Sequence, residues 1–201
     1  MKPFTQALLA TLLLAAGPSY ATPITTAGDP ALAGSTLVNF TGITGGPYSS
    51  LTIGALTITG GFTIDSSGNC VYSGNSAPCL INAGGALTFT FSNPMTAFGL
   101  QIGATNFSQN LTAYNAFNGV IETVVVPNQV STMPFPYSAF YGINAGSASI
   151  QRFTLQANSG DYWSIDNIRF TAGATSVPEP ASLALVGVAL LGLGWSRRKQ
   201  A

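Results

Sequence analysis

The stretch ALTFTFSNPMTAFGLQIGA, residues 86–104, decides the fold class. Leu87, Phe89 and Phe91 fall on one side, with Thr88 and Thr90 on the other. Further on, Phe98, Leu100 and Ile102 repeat the pattern. Successive side chains of a strand point to opposite faces, so this alternation describes strands with one buried face. Ser92-Asn93-Pro94 predicts a turn between them. The same reading extends outward. VIETVVV (120–126) places Val120, Glu122, Val124 and Val126 on one side, and Ile121 and Val125 on the other. SIQRFTLQA (149–157) turns Phe153, Leu155 and Ala157 inward, and Arg152, Thr154 and Gln156 outward. Turn residues punctuate the chain at Gly45–Gly46, Gly60–Gly61, Asn118–Gly119 and Asn158–Gly160. No segment between Thr22 and Ser176 sustains a helical period. About ten candidate strands predict an all-β, two-sheet sandwich, with jelly-roll connectivity because a Greek-key pair of sheets accommodates that number in one domain.

Charge narrows the function classes. Only 6% of the 201 residues are charged, and none is histidine. Between Thr22 and Ser176 the acids Asp29, Asp65, Glu122, Asp161 and Asp166 face Arg152 and Arg169 alone, a net −3. A nucleic-acid partner needs clustered Lys and Arg, so none is expected. Without histidine, the Ser-His, Cys-His and zinc constellations are absent. Asp161 with Asp166, or Asp65 with Glu122, could pair, and a glycosidase needs two carboxylates about 5–10 Å apart across a cleft. Five acids make some pair unsurprising, and Asp161 lies in NSGD, a turn in which a solvated side chain is expected. The sequence predicts no enzyme.

Both ends carry address-like segments. Lys2, the apolar run Ala7–Ala16 and Ser19-Tyr20-Ala21 describe a secretory signal peptide, residues 1–21, cleaved after Ala21. Export gives meaning to the two cysteines. Cys70 and Cys79, in NCVYSGNSAPCL, are closely spaced and bound for an oxidising compartment, which predicts a disulfide. Gly74, Asn75 and Pro78 between them are turn formers that could bring two strands side by side. Residues 22–176 form the ectodomain.

Within it, YWSIDNIRF (162–170) is unusual. Counted straight through, Asp166 shares its face with Ile168 and Phe170, while Trp163, Ile165, Asn167 and Arg169 point the other way. A buried carboxylate needs partners. Two environments suit it: backbone N–H groups of a neighbouring loop at the sandwich rim, or a calcium ion, which takes carboxylate and carbonyl oxygens. No other cofactor is expected. The aromatic residues also admit two readings. Tyr137, Phe140, Tyr141, Tyr162 and Trp163 could form a sugar-stacking platform, with Tyr162 and Trp163 its glycan-stacking pair and Trp163 exposed by its parity; or they fill the core. Three Asn-x-Ser/Thr tripeptides begin at Asn39, Asn106 and Asn110, and their use depends on the host.

The chain ends VPEPASLALVGVALLGLGWSRRKQA, residues 177–201. Pro178 and Pro180 keep Val177–Pro180 extended. Ala181 to Trp195 would make a short hydrophobic helix of about 22 Å, less than a hydrocarbon core of about 30 Å. Arg197, Arg198 and Lys199 follow as a basic cluster to be held in the cytoplasm. In these three parts, in this order, the tail resembles the PEP-CTERM sorting domain of exported Gram-negative bacterial proteins. The resemblance implies that an exosortase, a membrane-embedded cysteine transpeptidase-like enzyme, is the partner. Val177, Pro178, Glu179 and Pro180 would then be the recognition motif, and Arg197, Arg198 and Lys199 the retention cluster. It also implies transient insertion in the inner membrane, followed by release to the cell surface or extracellular matrix of exopolysaccharide-producing, biofilm-forming bacteria. FSNPMTAFGLQIG, LTAYNAFNGV, FYGINAGSASIQRFTL and IDNIRF are similar to β-sandwich ectodomains that precede such tails. In those, an acid near the first strand helps an Asp-Asn pair bind calcium; here LVNFTGI offers Asn39 and Thr41. Two functions follow as expectations: a non-enzymatic surface or matrix protein, or a carbohydrate-binding module recognising an extracellular polysaccharide. A concave, aromatic-lined face would distinguish the second.

Overall fold

A computed structural model of the chain describes residues 21–67, 69–72, 74–82, 85–146, 150–156 and 160–173. The signal-peptide segment before Ala21 and the whole sorting tail lie outside the described residues. Among the described residues, no helix is long and apolar enough to cross a membrane.

The described residues form eleven strands: β1 (Thr22–Ile24), β2 (Thr36–Val38), β3 (Gly46–Ile53), β4 (Leu56–Asp65), β5 (Cys79–Asn82), β6 (Ala86–Gly103), β7 (Gln109–Tyr114), β8 (Val120–Val126), β9 (Ser138–Asn144), β10 (Ile150–Gln156) and β11 (Trp163–Ala172). Among the described residues, two short helical turns, Pro30–Leu32 and Asn69–Tyr72, interrupt them. The all-β sandwich expected from the alternation is present.

The turn expected at Ser92–Pro94 is not. β6 runs through it as one strand of 18 residues. Its first half pairs with β4 and β10, and its second half with β9 and β11. Ser92–Pro94 is therefore a corner, where one strand leaves one sheet and enters the other. Proline suits such a corner because it has no N–H to give to a ladder. β4 does the same at Gly60–Gly61, also expected to be a turn: Leu56–Thr59 pair with β6, and Thr63–Asp65 with β5. Gly60 has φ 126°, and a Cβ there would lie 2.7 Å from the Ala86 carbonyl oxygen. The first sheet thus reads β8–β7–β10–β6–β4, and the second β1–β9–β6–β11–β5–β4, with β2 beside β11 and β3 folded back along β4. In space β10 sits between β6 and β7, the kind of long return that a Greek key makes.

The inward residues of both halves of β6 meet in the core. Leu87, Phe89, Phe91, Phe98, Leu100 and Ile102 are all buried, as their alternation requires. Phe153 from β10 stacks on Phe89 at 4.3 Å and on Phe98 at 3.8 Å between ring centroids, so one ring ties the two arms of the bent strand together. On β8 the alternation breaks at a register shift opposite Ala113–Tyr114, and both Ile121 and Val124 pack against the core.

Cys70 and Cys79 form a disulfide. It closes the connection from β4 to β5, which pair antiparallel with Asp65 opposite Cys79. With Ile81 the two half-cystines make a small buried cluster apart from the main core. The bridge pins the residue 66–78 connection to the outer side of the second sheet.

Candidate functional site

What lies under that connection is decided by a bulge in β11. Asn167 has φ 50°, and the register against β6 slips between Asp166 and Arg169. One extra residue reverses the alternation. Trp163 and Ile165 face the core before the bulge, and Ile168 and Phe170 after it. Asp166 therefore does not share a face with Ile168 and Phe170, contrary to the parity count. It stands on the opposite face with Ser164 and with Gln101, its partner across β6.

Asp166 is nonetheless only 3% exposed. Asn75 Nδ2 donates to Ser164 Oγ at 2.7 Å, and Gln101 Nε2 donates to the Gly74 carbonyl at 3.0 Å, which lays the disulfide-closed connection over this face. The Asp166 carboxylate accepts backbone N–H bonds from Asn167, at 2.7 Å, and from Ser76. Burial pushes its pKa above the usual carboxylate value, against the opposing pull of those two bonds. No group of three acidic, histidine or cysteine side chains converges among the described residues. The donors at Asp166 suit a hydrogen-bonded carboxylate rather than a calcium cage of about six to eight oxygens. Asp166→Ala should therefore destabilise the domain by about 1–3 kcal/mol, and a chelator should leave the wild-type melting temperature unmoved. A chelator-induced drop that Asp166→Ala abolishes would assign a cation instead.

The expected aromatic platform is not assembled. Trp163 is 0% exposed and belongs to the main core, so it cannot stack on a sugar; the bulge that moved Asp166 also turned this ring inward. Phe140 packs on a small cluster with Ile24, Leu32 and Ala97, whereas Tyr141 packs on the main core, on the other face of β9. Tyr137 meets Phe135 edge to face. Asp161 corrects a further expectation: it is 0% exposed rather than solvated. Its Oδ1 accepts from Asn106 N at 2.9 Å and Asn106 Nδ2 at 3.2 Å, and its Oδ2 from Phe107 N at 3.4 Å and Gln109 Nε2 at 3.0 Å.

Tyr162, between these two buried residues, is 47% exposed and opens onto a cleft of about 570 Å³. Tyr48 from β3, Phe62, Thr63 and Asp65 from β4, and Asn69 from the helical turn line it with Tyr162. The Tyr48 ring stacks on Phe62 at 5.8 Å, and its hydroxyl donates to the Thr44 carbonyl at 2.8 Å. Asp65 Oδ1 accepts from Ser67 Oγ at 2.5 Å and Ser67 N at 2.7 Å, and Oδ2 from Asn69 Nδ2 at 2.7 Å. These bonds, the Ser67 hydroxyl's first, hold the Asp65 pKa below the usual value, so it is ionised at neutral pH. Burial raises the Tyr162 hydroxyl pKa, and the Asp65 charge adds to the rise. Among the described residues the cleft is lined by one carboxylate, whereas two-carboxylate hydrolysis needs a pair; Glu122 lies on β8, in the other sheet. Nothing in the sequence pairs residues 48, 62, 65, 69 and 162; only the fold does.

The PEP-CTERM protein-sorting motif matches residues 176–199. No curated protein matches the chain. Among solved structures, two substituted forms of a family 29 carbohydrate-binding module are similar. One has 12% identity and a TM-score of 0.43 over 73% of this chain and 98% of that chain. The other has 11% identity and a TM-score of 0.39 over 80% and 98%. A family 6 carbohydrate-binding module has 13% identity and a TM-score of 0.36 over 69% and 94%. Superpositions this loose carry nothing about what this chain binds.

Proposed function

We propose that this chain is a non-enzymatic protein of the bacterial cell surface or extracellular matrix, delivered there by an exosortase-type membrane peptidase. The observation that carries the reading is the tail: residues 176–199 match a sorting motif, and its three parts divide the labour by chemistry. Val177–Pro180 is the recognition element. Ala181–Trp195 is too short for a comfortable permanent span, which suits a segment to be cut off. Arg197, Arg198 and Lys199 hold it from the cytoplasmic side. Residues 1–21 start export, residues 22–176 are the cargo, and residues 177–201 are its address. Display in a Gram-negative exopolysaccharide matrix is the setting this address implies.

Glu179→Ala, or deletion of Arg197–Lys199, should leave unprocessed chain in the inner membrane and deplete it outside the cell. Fractionation followed by immunoblotting reads this directly. Normal release of both variants would overturn the sorting role of these residues. A second reading, that the displayed domain binds an extracellular glycan, is favoured by the tyrosine-lined cleft beside Asp65.

A further inference from the structure

The cleft limits which glycan could be held. We propose that it binds a neutral oligosaccharide, with a pyranose ring stacked on Tyr162 and a sugar hydroxyl donating to Asp65, and that it rejects uronate-rich chains. The inference rests on the glycan-binding reading and adds the charge class of the ligand.

The Tyr48 ring and the backbone beneath Tyr162 are held before any ligand arrives. Tyr162 is exposed, yet the residues on either side of it, Asp161 and Trp163, are both completely buried. The backbone that carries its ring is thus pinned from both directions. Tyr48 is held by its stack on Phe62 and by its hydrogen bond to Thr44. A ring or a backbone that is already ordered loses little conformational entropy on binding, so more of the contact energy remains as affinity. Each offers a flat apolar face beside a polar rim, which matches a pyranose, apolar on its C–H face and hydroxylated at its edge.

The polar side of the cleft accepts more than it donates. Asp65 is oriented by Ser67 and Asn69, and Oδ2 takes only the Asn69 bond among the described residues. A carboxylate oxygen has about two lone-pair directions, so Oδ2 can accept a sugar hydroxyl without giving up its support. Among the described residues, no lysine or arginine lines the cleft. The described residues contain two cations, and Arg152 is engaged elsewhere, over the Tyr114 ring and with Asn118. Arg169 is on β11 opposite Leu37 of β2. An acidic sugar would meet the Asp65 charge with no counter-charge among the described lining residues, whereas a neutral diol meets an acceptor.

The test uses the full chain in a detergent without a sugar headgroup, titrated calorimetrically with hexaoses of glucose, mannose, galactose and N-acetylglucosamine, and with galacturonate and mannuronate hexamers. At least one neutral hexaose should bind about tenfold or more tightly than either acidic one at low salt. Tyr162→Ala should weaken that binding about tenfold, and Tyr162→Phe should preserve it. Asp65→Asn keeps the shape and removes the charge; it should weaken the neutral ligand and narrow the gap to the acidic ones, a change that general loosening of the loop would not produce. Equal or tighter binding of an acidic hexamer to wild type would overturn the neutral-ligand inference while leaving glycan binding in place. Binding unaffected by Tyr162→Ala and Asp65→Asn would put the ligand elsewhere. Absence of binding to every hexamer would overturn the glycan reading itself, and would leave the sorting of the chain untouched.

Discussion

Phe153→Ala should lower the unfolding free energy by about 3–5 kcal/mol, with the value at the upper end of that range. The ring is completely buried, so its removal forfeits transfer free energy and leaves a cavity that strands anchored on both sides cannot close. It is also stacked on two partners, Phe89 at 4.3 Å and Phe98 at 3.8 Å, and tilted against Phe91 at 5.8 Å. Aromatic pairs add about 0.5–1.5 kcal/mol beyond the area they bury. Because Phe89 and Phe98 belong to opposite arms of β6, the missing ring also releases the bend that joins the two sheets. Against a domain stability of about 5–15 kcal/mol, the loss is a large fraction of what holds the domain folded. Phe153→Leu should cost clearly less. Urea titration of the two variants against wild type checks both values, and an alanine variant as stable as wild type would mean that the two arms are held together by other contacts.

Asp161→Ala should have an effect of similar size, about 3–5 kcal/mol, built from several unmet hydrogen bonds at about 1–3 kcal/mol each. Two backbone N–H groups and two side-chain amides converge on this carboxylate. Alanine leaves them without an acceptor in a place where Gln109 is itself buried. The damage should spread, because Asn106 is also held to Asn128 and Thr105 to Gln129, so the connections on both sides of β7 and β8 lean on the same acceptor. Asp161→Asn should cost less, since one oxygen is kept and only the other is turned into a donor facing donors. An exposed-turn residue would give nearly no effect in either variant, so the pair of measurements separates the buried arrangement from the solvated one.

The fold was legible wherever the chain is locally regular. Leu87 to Phe91 and Phe98 to Ile102 alternate because each half of β6 lies in a single sheet, and a period of two cannot hide there. Ser92–Pro94 misled for a physical reason: a strand that changes sheets needs the same residues as a strand that ends. The Asn167 bulge misled in the same way, since a single added residue leaves composition unchanged and reverses every face after it. Asp161 looked solvated in NSGD because its partners, Asn106 to Gln109, lie some fifty residues earlier in the chain. The disulfide was legible from spacing and destination alone. The cleft was not, because Tyr48, Asp65 and Tyr162 come from three separate parts of the sequence and only pairing of β3, β4, β5 and β11 sets them together. The tail was the reverse case, a local signal that needs no fold to be read.

The measurement that tests this account most directly is the intact mass of the wild-type protein recovered outside the cell under non-reducing conditions, compared with the species retained by an exosortase-deficient strain. The released protein should begin at Thr22, carry the Cys70–Cys79 bridge and lack Trp195 and Arg197–Lys199. The deficient strain should retain a chain that still ends at Ala201. A released wild-type protein that keeps residues 181–201 would contradict the sorting reading and make the tail a plain membrane anchor.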